Sequence, residues 1–65
     1  MAACLQTQRD ELLTERGHLV KRIDDLHTQP ISHDRDRAIW ALEENRDLLD
    51  VALNETEQAL REQAN

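Results

Sequence analysis

The sequence has almost no aromatic residues, glycine or proline. Its 65 residues include one tryptophan, one glycine and one proline, and neither phenylalanine nor tyrosine. Strands favour aromatic residues and turns favour glycine and proline, so their scarcity argues against a β-sheet protein. The long stretches without a helix-breaking residue instead predict an all-α fold.

Cysteine is also scarce, since Cys4 stands alone and cannot form an internal disulfide. A lone cysteine fits a reducing compartment or, alternatively, a bridge between two chains. No apolar run approaches the roughly 18 residues that span a bilayer. The first residues lack the basic lead of a signal peptide. We therefore expect a cytoplasmic protein with no membrane contact.

Basic residues are fewer than acidic residues. The chain carries 14 acidic and 8 basic residues, for a formal net charge of −6 at pH 7. Because leucine is frequent and periodic, this is not the pattern of a disordered acidic tail. A chain of this length buries little apolar area alone, which favours association with a partner chain.

The sequence does contain two apolar stripes with heptad spacing. The first is formed by Leu5, Leu12, Leu19 and Leu26, and the second by Ile39, Leu42, Leu49, Leu53 and Leu60. Two such stripes on one chain predict an antiparallel, coiled-coil-like hairpin. We expect one domain over residues 1–65, with helix 1 over about 2–27, a turn over about 28–33 and helix 2 over about 34–63.

Polar residues mark the turn and interrupt the first stripe. Pro30 cannot continue the first helix, and Ser32 or Asp34 can cap the second. Arg9 and Arg16 fall within the first stripe, where their methylenes can lie on the seam while their charges reach solvent or an acid. Folding the hairpin about this turn places Arg16 beside Leu49.

Small and apolar residues beside the stripes predict a dimer. Leu13, Gly17 and Val20 mark the flank of the first helix that we expect to match a small-residue stripe on the second. A hairpin needs one stripe, so the extra one predicts a homodimeric four-helix bundle of unspecified relative orientation. Alternatively, the alanines are helix formers that face solvent. The predicted interface comprises Leu13, Gly17, Val20, Ala38, Ala41, Asn45, Leu48, Ala52 and Ala59.

No group of residues has the spacing of a catalytic or metal site. Cys4 lacks a neighbouring histidine to activate it, and pairs such as Glu43 and Glu44 lie on a hydrated helix surface. His27 and His33 flank the turn without the spacing of zinc ligands. We therefore expect no enzyme activity, no catalytic residue, no cofactor and no metal.

Trp40, the single aromatic residue, lies off both stripes. Glu44, Asp47 and Val51 share its helix face, and an exposed tryptophan can anchor a protein contact. Because the chain is acidic, we expect this face to bind a protein with a basic surface. The predicted function is a small acidic regulator or adaptor, a protein–protein interaction module that acts as a homodimer.

The turn supplies a second candidate contact. Asp34 and the run Asp36-Arg37-Ala38 follow Pro30. This short stretch resembles the coiled-coil tip of DksA/TraR-type factors, which enters a channel of RNA polymerase. The resemblance implies that Asp34 and Asp36 contact a partner protein.

RNA binding is the alternative function. Arg9, Arg16, Lys21 and Arg22 on the first helix would align in a dimer as a strip for a phosphate backbone. The length, hairpin plan and acidity of the chain resemble the Rop family, whose dimeric four-helix bundles bind RNA. However, acidic residues interleave with these bases and no aromatic residue stands among them for stacking.

Overall fold

The computed structural model describes residues 4–64, which form two α-helices joined by a short connection. Helix α1 spans Leu5–His27 and helix α2 spans His33–Ala64. The helices pack lengthwise against each other, and the longest dimension of the molecule is 49 Å. No strand occurs among residues 4–64. The expectation of an all-α, two-helix hairpin is confirmed.

Side chains cap both helices at their N-termini. Cys4 has extended backbone, and its Sγ accepts a hydrogen bond from the Thr7 amide at 3.4 Å. We expected α1 from about residue 2, but the helix begins at Leu5 and residues 1–3 lie outside the described part of the chain. Before α2, the Oγ of Ser32 accepts a hydrogen bond from the Arg35 amide at 3.0 Å. These caps satisfy amides of the first turn that lack helical partners.

The connection is held from both sides. At the end of α1, the Thr28 amide donates to the Asp25 carbonyl at 3.2 Å. At the start of α2, Nη1 of Arg35 donates to the Gln29 carbonyl at 3.2 Å, and the Arg35 side chain is only 14% exposed. Pro30 lies between these contacts and cannot join either helix because its ring removes the backbone donor. The turn is therefore fixed by hydrogen bonds as well as by proline.

The core is a single narrow seam between the helices. Ile23, Ile39 and Leu53 are buried, with 5%, 6% and 6% of their surface exposed. The other leucines of the two stripes are half-buried, since each helix has only one covered side. Neither described helix carries a stretch long and apolar enough to cross a membrane.

An ion pair joins the helices at the edge of this seam. Nε of Arg16 donates to Oδ1 of Asp50 at 2.5 Å, and both side chains are about 40% exposed. Residue 16 thus lies level with residue 50, one position from the expected Leu49. The arginine carries its charge out of the seam to an acid, as its long side chain permits. Exposed ion pairs of this kind contribute below about 1 kcal/mol, so the apolar seam dominates the stability of the hairpin.

Candidate protein-binding faces

One side of the hairpin carries a row of small side chains on α2 beside a charged flank of α1. We call it the alanine face, and it consists of Ala38, Ala41, Asn45 and Leu48 with Glu15, His18, Lys21 and Arg22. Two adjoining shallow grooves run along it. One lies between Glu15 and His18 of α1 and Asn45 and Leu48 of α2. The other, nearer the turn, brings Lys21 and Arg22 beside Ala38 and Ala41.

This arrangement places the two parts of the predicted dimer interface on different sides of the hairpin. The grooves place the α2 small-residue stripe beside Glu15 and His18, and not beside Leu13, Gly17 and Val20. At 3.6 residues per turn, those three residues lie on the opposite flank of α1. Within one hairpin the two sets do not meet, because an antiparallel pair brings equivalent heptad flanks together. The predicted contact between copies, which joins the flank after the leucines of α1 to the flank before Ile39 of α2, stays a prediction.

The two separated sets differ in how open they are. On the alanine face Leu48 is 65% exposed, and Ala38, Ala41 and Asn45 are also exposed. Further along the same stripe, Ala52 and Ala59 are half-buried. The alanine face therefore leaves one large and several small apolar groups uncovered within a single chain.

The opposite flank of α1 is open as well. Leu13 is 46% exposed, Val20 is half-buried, and a Cβ added at Gly17 would meet no atom within 4 Å. The missing side chain of Gly17 therefore makes room for no neighbour within this hairpin. Across the seam from this flank stands Asp50, so the flank lies beside acidic rather than small residues.

A second exposed face lies on the side of α2 that points away from α1. We call it the tryptophan face, and it consists of Trp40, Glu44, Asp47 and Val51. Trp40 is 67% exposed and Val51 is 55% exposed, and the two acids are exposed as well. Trp40, Glu44 and Asp47 line one shallow depression. The structure thus brings three of the four grouped residues to one depression, which Val51 does not line. Oδ1 of Asp47 also lies 3.4 Å from Nη2 of Arg46.

The acids at the turn lie in the first turn of α2. Asp34 and Asp36 are both exposed, and Oδ1 of Asp36 accepts a hydrogen bond from Nη2 of Arg35 at 2.9 Å. Carboxylates stabilise a helix N-terminus through its positive dipole end. Both residues therefore have a role within the fold. Ile31 beside them is 83% exposed and is the most open large apolar side chain described.

Within one hairpin, the four basic residues proposed for RNA lie on different sides of α1. Arg9 and Arg16 are half-buried along the seam, where Arg16 is held by Asp50 and Nη2 of Arg9 lies 3.6 Å from Asp10. Lys21 and Arg22 are exposed on the alanine face. The pairing of Asp50 with Arg16 was not predicted from the sequence, because Asp50 stands among many acids on α2 and has no distinguishing motif.

The remaining reactive groups show little clustering. Within the described residues, no group of three or more histidine, cysteine, aspartate or glutamate side chains could hold a metal ion. The Thr7 hydroxyl, 3.1 Å from the Cys4 sulfur, and then the Thr7 amide lower the pKa of the Cys4 thiol. Those two hydrogen bonds belong to the helix cap.

The chain has no detectable similarity to known proteins. No family model, no curated protein and no solved structure matches the chain. The resemblances to the Rop family and to DksA/TraR-type factors thus have no matching family model behind them. By its fold the chain is a two-helix hairpin, and its alanine and tryptophan faces are the basis for a functional proposal.

Proposed function

We propose that this protein is a homodimeric, acidic protein–protein interaction module that presents Trp40 to a partner with a basic surface. The observation that carries the proposal is the exposure of Trp40, which is 67% open and shares its face with the half-open Val51. Tryptophan buries a large apolar area and often anchors protein contacts. A partner that covers Trp40 would therefore gain more binding free energy than by covering any other single side chain of the hairpin.

Charge indicates the kind of partner. Three acids, Glu43, Glu44 and Asp47, and one base, Arg46, line the depression beside Trp40, and the whole chain has a formal net charge of −6. An acidic rim around an apolar anchor suits a lysine- or arginine-rich surface with an apolar recess. Charge of opposite sign raises the rate of encounter and disfavours acidic competitors.

The alanine face supports the homodimer. Leu48 is 65% exposed there, and the neighbouring alanines would let a second helix approach closely. Two hairpins joined through this face form a four-helix bundle and cover Leu48. Because Trp40 and Leu48 lie on different faces of α2, the dimer contact and the partner contact can form together. The proposed interface comprises Ala38, Ala41, Asn45, Leu48, Ala52 and Ala59.

Substitution of Trp40 by alanine should weaken partner binding by about tenfold or more, the range of an aromatic hot spot. The probe is a labelled amphipathic peptide of alternating leucine and lysine, and its affinity is measured by fluorescence anisotropy. Ile31→Ala is the matched control, since Ile31 is an even more exposed apolar residue away from the tryptophan face. We expect its affinity to equal that of the wild type.

A second peptide, with glutamate in place of lysine, tests the charge requirement. We expect no binding of the acidic peptide, and a blue shift of Trp40 emission only with the basic one. Equal loss of affinity in Trp40→Ala and Ile31→Ala would contradict the proposal. A second contradicting result would be that the protein binds neither peptide but binds a labelled RNA tightly. That RNA affinity would fall with added salt and on substitution of Lys21 and Arg22.

A further inference from the structure

We infer that the two hairpins of the proposed dimer run antiparallel, with Arg22 of each copy paired with Glu15 of the other. The turn of one hairpin then lies beside the open end of the second. This inference rests on the proposed homodimer and specifies its geometry. It follows from how charge is arranged on the alanine face, together with the exposed Leu48.

Charged residues on the α1 half of this face are sorted by sign along the helix. Glu15 lies toward the open end, whereas Lys21 and Arg22 lie toward the turn, where Asp25 offsets one of the two bases. All four are exposed, and none forms an ion pair with another described residue. By contrast, the half-buried arginines each have an acidic neighbour: Arg9, Arg16, Arg35 and Arg46.

Two-fold symmetry allows two ways to join a pair of alanine faces. With the axis along the helices, the hairpins are parallel and α1 of one copy covers α2 of the other. With the axis across the helices, the hairpins are antiparallel, so that α1 covers α1 and α2 covers α2. These two arrangements bring different side chains together, and the charges that would meet in each one favour the antiparallel arrangement.

In the parallel arrangement, the charges of α1 would lie against the small residues of the second α2. Glu15 would then be partly desolvated beside Leu48 without a charged partner, which is unfavourable. In the antiparallel arrangement, the small residues of α2 pack against the same small residues of the second copy. The sorted charges of the two α1 helices then meet with opposite signs.

The positions along the helices agree with this pairing. A groove near the middle of the stripe is lined by Glu15, His18 and Leu19 of α1 and by Asn45 and Leu48 of α2. We place the two-fold axis at this level, between residues 18 and 19. Glu15 and Arg22 then lie equally far before and after the axis, so each faces the other type across it. Ion pairs at the edge of an interface contribute mainly to orientation, because like charges disfavour the wrong arrangement.

Charge reversal tests the pairing. Glu15→Arg and Arg22→Glu should each raise the dimer dissociation constant by about tenfold, since each places like charges together twice. The double variant should return to near the wild-type value. An equal mixture of the two single variants should form a heterodimer that is tighter than either homodimer, because every substituted residue then faces an opposite charge. No rescue, either in the double variant or in the mixture, would overturn the pairing.

A distance measurement tests the orientation and separates it from the existence of the dimer. A nitroxide label is attached to Ile31→Cys at the turn, in a Cys4→Ser background, and the label–label distance is measured by pulsed electron paramagnetic resonance. With the axis between residues 18 and 19, Ile31 lies about 12 residues, or roughly 19 Å, from the axis, so antiparallel hairpins predict a distance of about 40 Å. A distance of about 20 Å, two helix diameters, would show a parallel dimer and overturn the inference while leaving the proposed function intact. A label that shows no dipolar coupling at any protein concentration would overturn both the inference and the homodimer.

Discussion

Replacement of Leu53 by aspartate is expected to unfold the hairpin. Leu53 is 6% exposed and is one of the three residues buried in the seam between α1 and α2. Truncation of a buried leucine alone costs about 2–5 kcal/mol, and an unpaired carboxylate in the same place costs more. A core of this size rarely supplies more than about 3–5 kcal/mol in total. The substitution therefore removes more free energy than the folded state has available.

Circular dichroism at far-ultraviolet wavelengths measures this effect as a loss of helical signal and of the thermal transition. Val51→Asp is the matched control, because Val51 lies two residues away on the same helix and is 55% exposed. Valine and aspartate have similar helix propensities, so this change should alter the free energy of unfolding by about 0.5 kcal/mol or less. Wild-type melting of Leu53→Asp, or equal unfolding of both variants, would contradict the seam described above.

Replacement of Leu48 by aspartate should separate the dimer into single hairpins. Leu48 is 65% exposed within one chain, so the hairpin itself loses little by the change. In the proposed dimer this residue lies near the two-fold axis, where the two aspartates would meet in a dry contact. An uncompensated buried charge costs about 3–5 kcal/mol, which corresponds to a rise in the dissociation constant of roughly a hundredfold or more.

Light scattering after size-exclusion chromatography, over a dilution series, measures this dissociation. Leu13→Asp is the control, because Leu13 is also an exposed leucine but lies on the flank of α1 opposite the alanine face. It should leave the dimer intact. If Leu13→Asp separates the chains and Leu48→Asp does not, the dimer uses the other side of the hairpin and the proposed interface is incorrect.

The hairpin was predictable because its causes are local and periodic. Heptad leucines identify the buried line of each helix without any knowledge of the other helix. Pro30 and Ser32 mark the turn through backbone chemistry, since one cannot continue a helix and the other caps the next. The grouping of Trp40 with Val51 also follows from helical periodicity alone.

The relation between the two helices was harder to predict. Leu13, Gly17 and Val20 were matched to the alanine stripe because both sets are small or apolar, yet antiparallel packing puts them on opposite sides of the hairpin. The antiparallel direction was itself predicted, but matching the flanks also requires the rule that an antiparallel pair brings equivalent heptad flanks together. Likewise several acids on α2 could pair with Arg16. Asp50 is the partner because the axial register of the two helices places it opposite Arg16.

Sedimentation equilibrium of the unmodified protein tests the central claim, that an uncovered alanine face recruits a second copy and leaves Trp40 outward. We predict a mass of twice the 7.6 kDa chain at micromolar concentration, falling toward the chain mass on dilution. A mass of 7.6 kDa at every concentration would contradict this account.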